Sequence, residues 1–356
     1  MNSPSQTLDT AGHRPGDLPT APARPASTGH GPAGVDVRTP WAHVTAIVLA
    51  LSAVLAIVVT AFAWPASRSA VHDVPVAVAG PPAAVAQVTE RLEQARPGAF
   101  DVTALPDDAA ARAAIEDREV YGAIVVGPQG ASVLTASAAS PAVAQGLTEL
   151  ARGLAAQEQA QGRQPAVAVT DIAPTTADDP RGAGLGSAAL PLVLAGLAGA
   201  VVLSLRVGGT GRRFVAALGL AVAGGAAITA VLQPWLGILA GSYLANTAVV
   251  ALGIAAVAFP ILGLVALVGA PGIGLGAAVM VLLGNPLSGA ATAPEMLPEG
   301  WGAFGRLLPP GATGTLLRSV AFFDGAAIGG PLTVLLSWAA AGALLMGLGR
   351  FTRKSA

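Results

Sequence analysis

The 356-residue chain contains no cysteine, a single lysine (Lys354) and four histidines. Without cysteine there is no disulfide framework, no thiol nucleophile and no thiolate-ligated metal. The histidines, His13, His30, His43 and His72, all precede the first predicted strand. The remainder therefore has no imidazole for general-base catalysis or for zinc. A lysine only near the C-terminus also leaves no G-x-x-x-x-G-K-[ST] phosphate loop. Charge of either sign is scarce, at 11% of residues against 53% hydrophobic, and from Phe214 to Pro294 there is no Asp, Glu, Lys, Arg or His. A soluble helix needs a polar face, whereas roughly 20 consecutive apolar residues suit the hydrocarbon core of a bilayer. The composition thus predicts an α-helical membrane protein with the lipid bilayer as its first partner. No enzyme activity, cofactor, metal or nucleic acid is expected.

Taken in order, residues 1–40 hold seven prolines among Ser, Thr, Gly and Ala, with three Arg and three Asp. Such a segment buries too little apolar surface to offset its chain entropy, which predicts a disordered tail. Residues 41–64 form the first span, with Trp41 and Trp64 at the two ends where indole rings favour the headgroups. Ala61-Phe62-Ala63 matches a signal-peptidase site, but the apolar run is longer than a signal h-region of about 7–15 residues, so an uncleaved anchor is expected.

Residues 65–184 have ordinary polarity and alternate short β-like and helix-like runs, which predicts a small α/β domain. Strands are expected over Val74–Ala79, Phe100–Ala104, Tyr121–Val126, Ala131–Ala136 and Ala166–Ile172. Helices are expected over Ala83–Arg96, from Pro106-Asp107-Asp108 to Glu119, and over Pro141–Gln161. Gly127-Pro128-Gln129-Gly130 marks a hairpin. The pairs Asp107/Asp108 and Asp178/Asp179 could suggest a cation site. Helix caps and turns account for them more simply, since no oxygen-ligand loop surrounds them.

Residues 185–350 are predicted to cross the membrane five more times, over Leu185–Leu205, Phe214–Leu232, Leu244–Val268, Gly272–Ala290 and Pro331–Leu348, and 351–356 form a short tail. Basic residues sit in the turn holding Arg206, Arg212 and Arg213 and after the last span (Arg350, Arg353, Lys354). Under the positive-inside rule both termini are cytoplasmic at a plasma membrane and the α/β domain lies outside, between the first and second of six spans. Gly272-Ile273-Gly274-Leu275-Gly276 imitates a dinucleotide fingerprint but follows no strand, so its glycines read as helix-packing contacts. Among the few polar residues of the bundle, Asn246 and Asn285 are the candidates for a substrate path. Residues 291–330 mix apolar side chains, prolines and isolated charges, including Trp301, Arg306 and Arg318. They are expected to form a re-entrant or interface-lying cap at the outer end of the bundle.

One span, a large α/β domain, then five spans with a proline-bracketed loop before the last resembles the membrane subunits of type-2 ABC exporters, and within them the phage-infection-protein branch. Three stretches carry the likeness: Val74-Pro75-Val76-Ala77-Val78-Ala79, the helix and strand from Asp108 to Val126, and Pro294 to Arg318. The resemblance implies a permease that exports an amphipathic or hydrophobic substrate as a homo- or heterodimer. It also implies a separate cytoplasmic ABC ATPase subunit, with the loop at Arg206, Arg212 and Arg213 as candidate contact. A different class of function fits the same residues: a non-transporting surface protein, such as a secretion accessory or phage receptor, that binds through its α/β domain and uses the bundle as anchor.

Overall fold

A computed structural model describes residues 40–128, 130–160, 167–290 and 292–352. The tail expected over 1–40 lies outside the described residues except for Pro40, as do Arg353 and Lys354. The chain divides into two units, residues 1–51 and 52–356. The first ends within helix α1 (Trp41–Ser67), and the second holds the rest of α1 and every other element.

After α1 comes a five-stranded sheet. Its strands are β1 (Val74–Ala79), β2 (Phe100–Leu105), β3 (Gly122–Gly127), β4 (Gly130–Thr135) and β5 (Ala168–Asp171), in spatial order β2-β1-β3-β4-β5. β1 pairs in parallel with β2 and β3, β3 and β4 form the expected antiparallel hairpin, and β5 returns parallel to β4. Three helices supply the crossovers: α2 (Pro82–Ala95), α3 (Asp108–Glu116) and α4 (Pro141–Ala160). Alternation along β1 divides the core. Ala77 and Ala79 pack with Ala111 and Ile115 of α3 on one face. On the other, Val74, Val76 and Val78 meet Val85 and Leu92 of α2 and Val143 and Leu147 of α4. A strand covered on both faces reads as a continuous apolar run, and V-P-V-A-V-A is one.

The remainder is helical: α5 (Ala183–Arg206), α6 (Thr210–Ala230) with a π-helical turn over Val231–Trp235, α7 (Tyr243–Val268), α8 (Pro271–Ala277) continued as a π turn to Gly284, α9 (Trp301–Arg306), α10 (Pro309–Phe322) and α11 (Gly329–Thr352). α7 is the hub, packed against α5, α6, α8, α10 and α11. Of its most apolar 18 residues 78% are buried, whereas the matching window of α1 has none buried. A helix apolar all round suits either a core or hydrocarbon; α7 is buried, and α1 is exposed along an apolar length that could cross a membrane. Among the described residues five helices are long and apolar enough to cross a membrane, which fits a membrane protein. The stretch expected as the fourth crossing of the bundle, Gly272–Ala290, is shorter. It is helical only from Pro271 to Gly284, about 21 Å at 1.5 Å per residue against a core of about 30 Å. Asn285-Pro286 then ends it, because Pro286 has no N–H to continue the ladder. Gly272 and Gly276 do serve as packing contacts, since a Cβ at either would meet Leu264 or Ile261 of α7 at 2.6 Å.

Residues 292–328 are folded against both halves. α10 is buried along most of its length and packs on α5, α7 and α11. Phe323, just past its end, enters the core beside α3. Ala293 and Met296 join the core beside α2 and α4. Two polar bonds reinforce this seam: the Ser140 hydroxyl donates to Thr292 O (3.0 Å) and Ala70 N–H donates to Met296 O (3.0 Å).

Candidate functional site

One carboxylate of each acidic pair serves as a cap. Asp107 accepts from Ala110 N at the start of α3 (2.9 Å), and Asp179 accepts from Ala183 N and Gly184 N at the start of α5 (3.0 and 2.8 Å). Both carboxylates satisfy amide groups that a helix N-terminus leaves unpaired.

The candidate substrate-path residues lie in different surroundings. Asn246 is fully buried near the start of α7, where its Nδ2 donates to Gln233 Oε1 (2.9 Å) and Ala240 O (2.8 Å) and so fastens the turn before the helix. Asn285 instead lines a cavity of about 200 Å³ together with Phe62, Leu190 and Pro286. The side-chain oxygens of both asparagines are buried without a hydrogen-bond partner. In the α5–α6 turn, Arg213 donates from Nε to Val207 O (2.6 Å) and from Nη2 to Ser204 O (2.9 Å). It therefore closes the carboxyl end of α5, while Arg206 and Arg212 are exposed. Trp301 stacks edge-on with Trp64 (5.6 Å between centroids) and with Phe304 (6.2 Å).

Arg306 and Arg318 converge with groups from the α/β domain. A cavity of about 420 Å³ opens at the seam, lined on one side by Arg118, Glu119 and Tyr121 and on the other by Glu295, Arg306, Thr315 and Arg318. Ala312, Leu307, Pro331 and Val334 give it an apolar wall. Glu295 is fully engaged: Oε2 accepts from the Tyr121 hydroxyl (2.8 Å) and Oε1 lies 3.3 Å from Arg306 Nη1. Burial pushes the Tyr121 hydroxyl well above its ordinary pKa, and the neighbouring Glu295 charge pushes it further, so it is held as a donor.

Arg118 reaches this cavity through an unusual backbone. α3 ends in a Schellman motif, with Glu119 N bonded to Ala114 O (2.9 Å) and Arg118 N to Ile115 O (3.1 Å). The motif needs a left-handed residue at Arg118, whose φ is +62°, where glycine is the ordinary occupant. Arginine there costs about 1 kcal/mol of backbone strain. Its guanidinium is thereby directed at α10, where Nη1 donates to Thr315 O (3.0 Å) and Ser319 Oγ (2.6 Å) and the group lies 5.1 Å from the centre of the Phe323 ring. Burial lowers the pKa of Arg118 from its ordinary value.

Arg318 is only 6% exposed and donates to Ala290 O. No carboxylate pairs with it among the described residues, and it lines both the seam cavity and a small void inside the bundle between α5 and α7. That void is about 20 Å³, room for about one water.

Arg118, Tyr121 and Glu295 are absent from the candidates that the sequence supplies. A signal existed for Arg118: the helix that ends at Glu116-Asp117 has arginine where a helix stop usually has glycine. Tyr121 is one of only two tyrosines in the chain, but nothing local pairs it with Glu295, 174 residues away. Compared with known proteins, the chain matches no family model, no curated protein and no solved structure.

Proposed function

We propose that this chain is the permease subunit of an ABC-type exporter, moving an amphipathic or hydrophobic substrate outward with energy from a separate ATPase. One observation carries the reading: the seam cavity joins a wall of guanidinium groups to a wall of apolar side chains, directly beside α10 and α11 of the bundle. An amphipathic molecule presents that same pair of surfaces. From Phe214 to Pro294 the bundle has no Asp, Glu, Lys, Arg or His of the kind that ion-coupled transport ordinarily uses, which favours an energy source outside this stretch.

In this reading the polypeptide crosses the plasma membrane six times, the helix from Pro271 to Gly284 completing its crossing with the turn that follows. Both termini are cytoplasmic and the sheet domain faces outward, because the basic α5–α6 turn and the basic C-terminal end belong on the cytoplasmic side. Arg206 and Arg212, exposed and without a side-chain partner among the described residues, are the contacts for the ATPase, and Arg213 holds the turn that presents them.

Affinity purification in mild detergent, with mass spectrometry of what co-elutes, tests this directly. A nucleotide-binding subunit should be recovered with the parent chain and lost with Arg206→Glu/Arg212→Glu. Repeated absence of such a subunit defeats the reading in favour of a surface-binding protein, and outward movement of substrate that continues with a hydrolysis-dead ATPase defeats the ATPase as its source of energy.

A further inference from the structure

The seam cavity carries a charge imbalance that its own residues do not resolve. Three arginines line it against two glutamates. Glu295 is already bound to Tyr121 and Arg306 through its two oxygens, and Glu119 is exposed. Among the described residues Arg118 and Arg318 are therefore left facing the cavity with neutral close partners only, Thr315 O, Ser319 Oγ and the Phe323 ring for the first and Ala290 O for the second, and the Glu295 charge reaches Arg118 only from beyond hydrogen-bond range. A guanidinium offers five N–H donors in a planar fork matched to oxyanions, and a buried one without a counter-charge is costly to the fold. The left-handed backbone at Arg118 is a second, independent cost borne at the same place. Both costs are removed or repaid if an anion completes the site.

We propose that this cavity binds an oxyanion, a phosphate or carboxylate group, between the guanidinium groups of Arg118 and Arg318, with any attached alkyl portion lying along Leu307, Pro331 and Val334. Arg306 closes the rim, and the Tyr121 hydroxyl keeps Glu295 turned away from the bound charge. Binding requires only this chain. It is measured separately from recovery of an ATPase, and either result can fail without the other.

The test uses the full-length chain in a neutral maltoside detergent, titrated calorimetrically with inorganic phosphate, octyl phosphate and octyl glucoside. Octyl phosphate or inorganic phosphate should bind, and octyl glucoside should not. At least about tenfold tighter binding of octyl phosphate identifies an anionic amphiphile such as a lipid; equal affinities identify a small free oxyanion. Arg318→Met should unfold at no lower temperature than the parent without ligand, since it removes an unpaired buried charge, and should bind at least about tenfold more weakly. If Arg318→Met does not fold, Arg118→Gly decides, because glycine removes the side chain and suits the left-handed position without strain. A tenfold loss upholds the site. Failure of both phosphates to bind, or unchanged affinity in Arg118→Gly, overturns it.

Discussion

Tyr121 shows how one side chain at the seam ties distant parts of the sequence together. Its ring sits between the two cores of the α/β domain, and its hydroxyl donates to Glu295 of the segment that follows α8. A hydrogen bond to a charged acceptor in such a place is worth roughly 1.5–3 kcal/mol. Removing the donor should therefore lower the melting temperature of Tyr121→Phe in detergent, and the loss should shrink if Glu295 is also changed to Gln. The pH dependence has a definite sign. Because the folded state raises the Tyr121 pKa above its ordinary value of 10.0, the neutral phenol stabilises the fold fully below pH 10. That contribution disappears as pH climbs above 10. Melting curves between pH 8 and 11.5 should show an alkaline decline in the parent chain that is shallower in Tyr121→Phe. A parallel decline in both proteins would assign it to other groups.

At the scale of elements, α7 and α11 approach until their backbones touch. A Cβ at Gly342 would lie 2.3 Å from the carbonyl carbon of Phe259 and from the nitrogen of Pro260, so the two helices would have to separate to admit it. Gly342→Ala should destabilise by about 1–3 kcal/mol, the range for overpacking a tight core. Gly347, in the same helix, meets nothing within 4 Å, and Gly347→Ala should be neutral or gain up to about 1 kcal/mol from helix propensity. Thermal unfolding of the two variants side by side checks this, and equal behaviour would mean that α11 is not held by backbone contact. These elements were also the most legible in the sequence. β1 occupies Val74–Ala79, the six residues whose apolar run suggested it, and α4 follows its apolar period from Pro141 to within a residue of the expected end. Length and apolarity announce a helix, but they do not announce where a proline and an asparagine stop one, and so the helix after Pro271 reads longer in the sequence than it is. The seam was legible only in part. Arg306 and Arg318 stood out as charges in an apolar loop, whereas their meeting with Arg118 depends on tertiary packing between residues some 200 positions apart, which no local pattern encodes.

For the whole molecule, the packing of residues 292–328 means that the α/β domain and the bundle share structure and do not merely adjoin. Phe323, Ala293 and Met296 are buried by the domain, so cutting out 72–182 would expose them along with the seam cavity, and that deletion should yield an aggregating chain in place of a working bundle. Orientation is better tested without cutting anything. The absence of cysteine makes the chain silent to maleimides, so a single introduced cysteine reports its own compartment without background. Gln94 is exposed on α2 of the domain, and Gly208 is exposed in the α5–α6 turn with nothing within 4 Å of an added Cβ. Gln94→Cys should react with a membrane-impermeant maleimide on intact cells, and Gly208→Cys should react only after the membrane is opened. The proposed export needs this arrangement, since the cavity lies on the domain side of the bundle, and the proposed ATPase would have to reach Arg206 and Arg212 from the opposite side. The reversed labelling pattern would put the guanidinium wall on the cytoplasmic side, with the basic turn outside, and export through this chain would then lose both its outward-facing site and its source of energy.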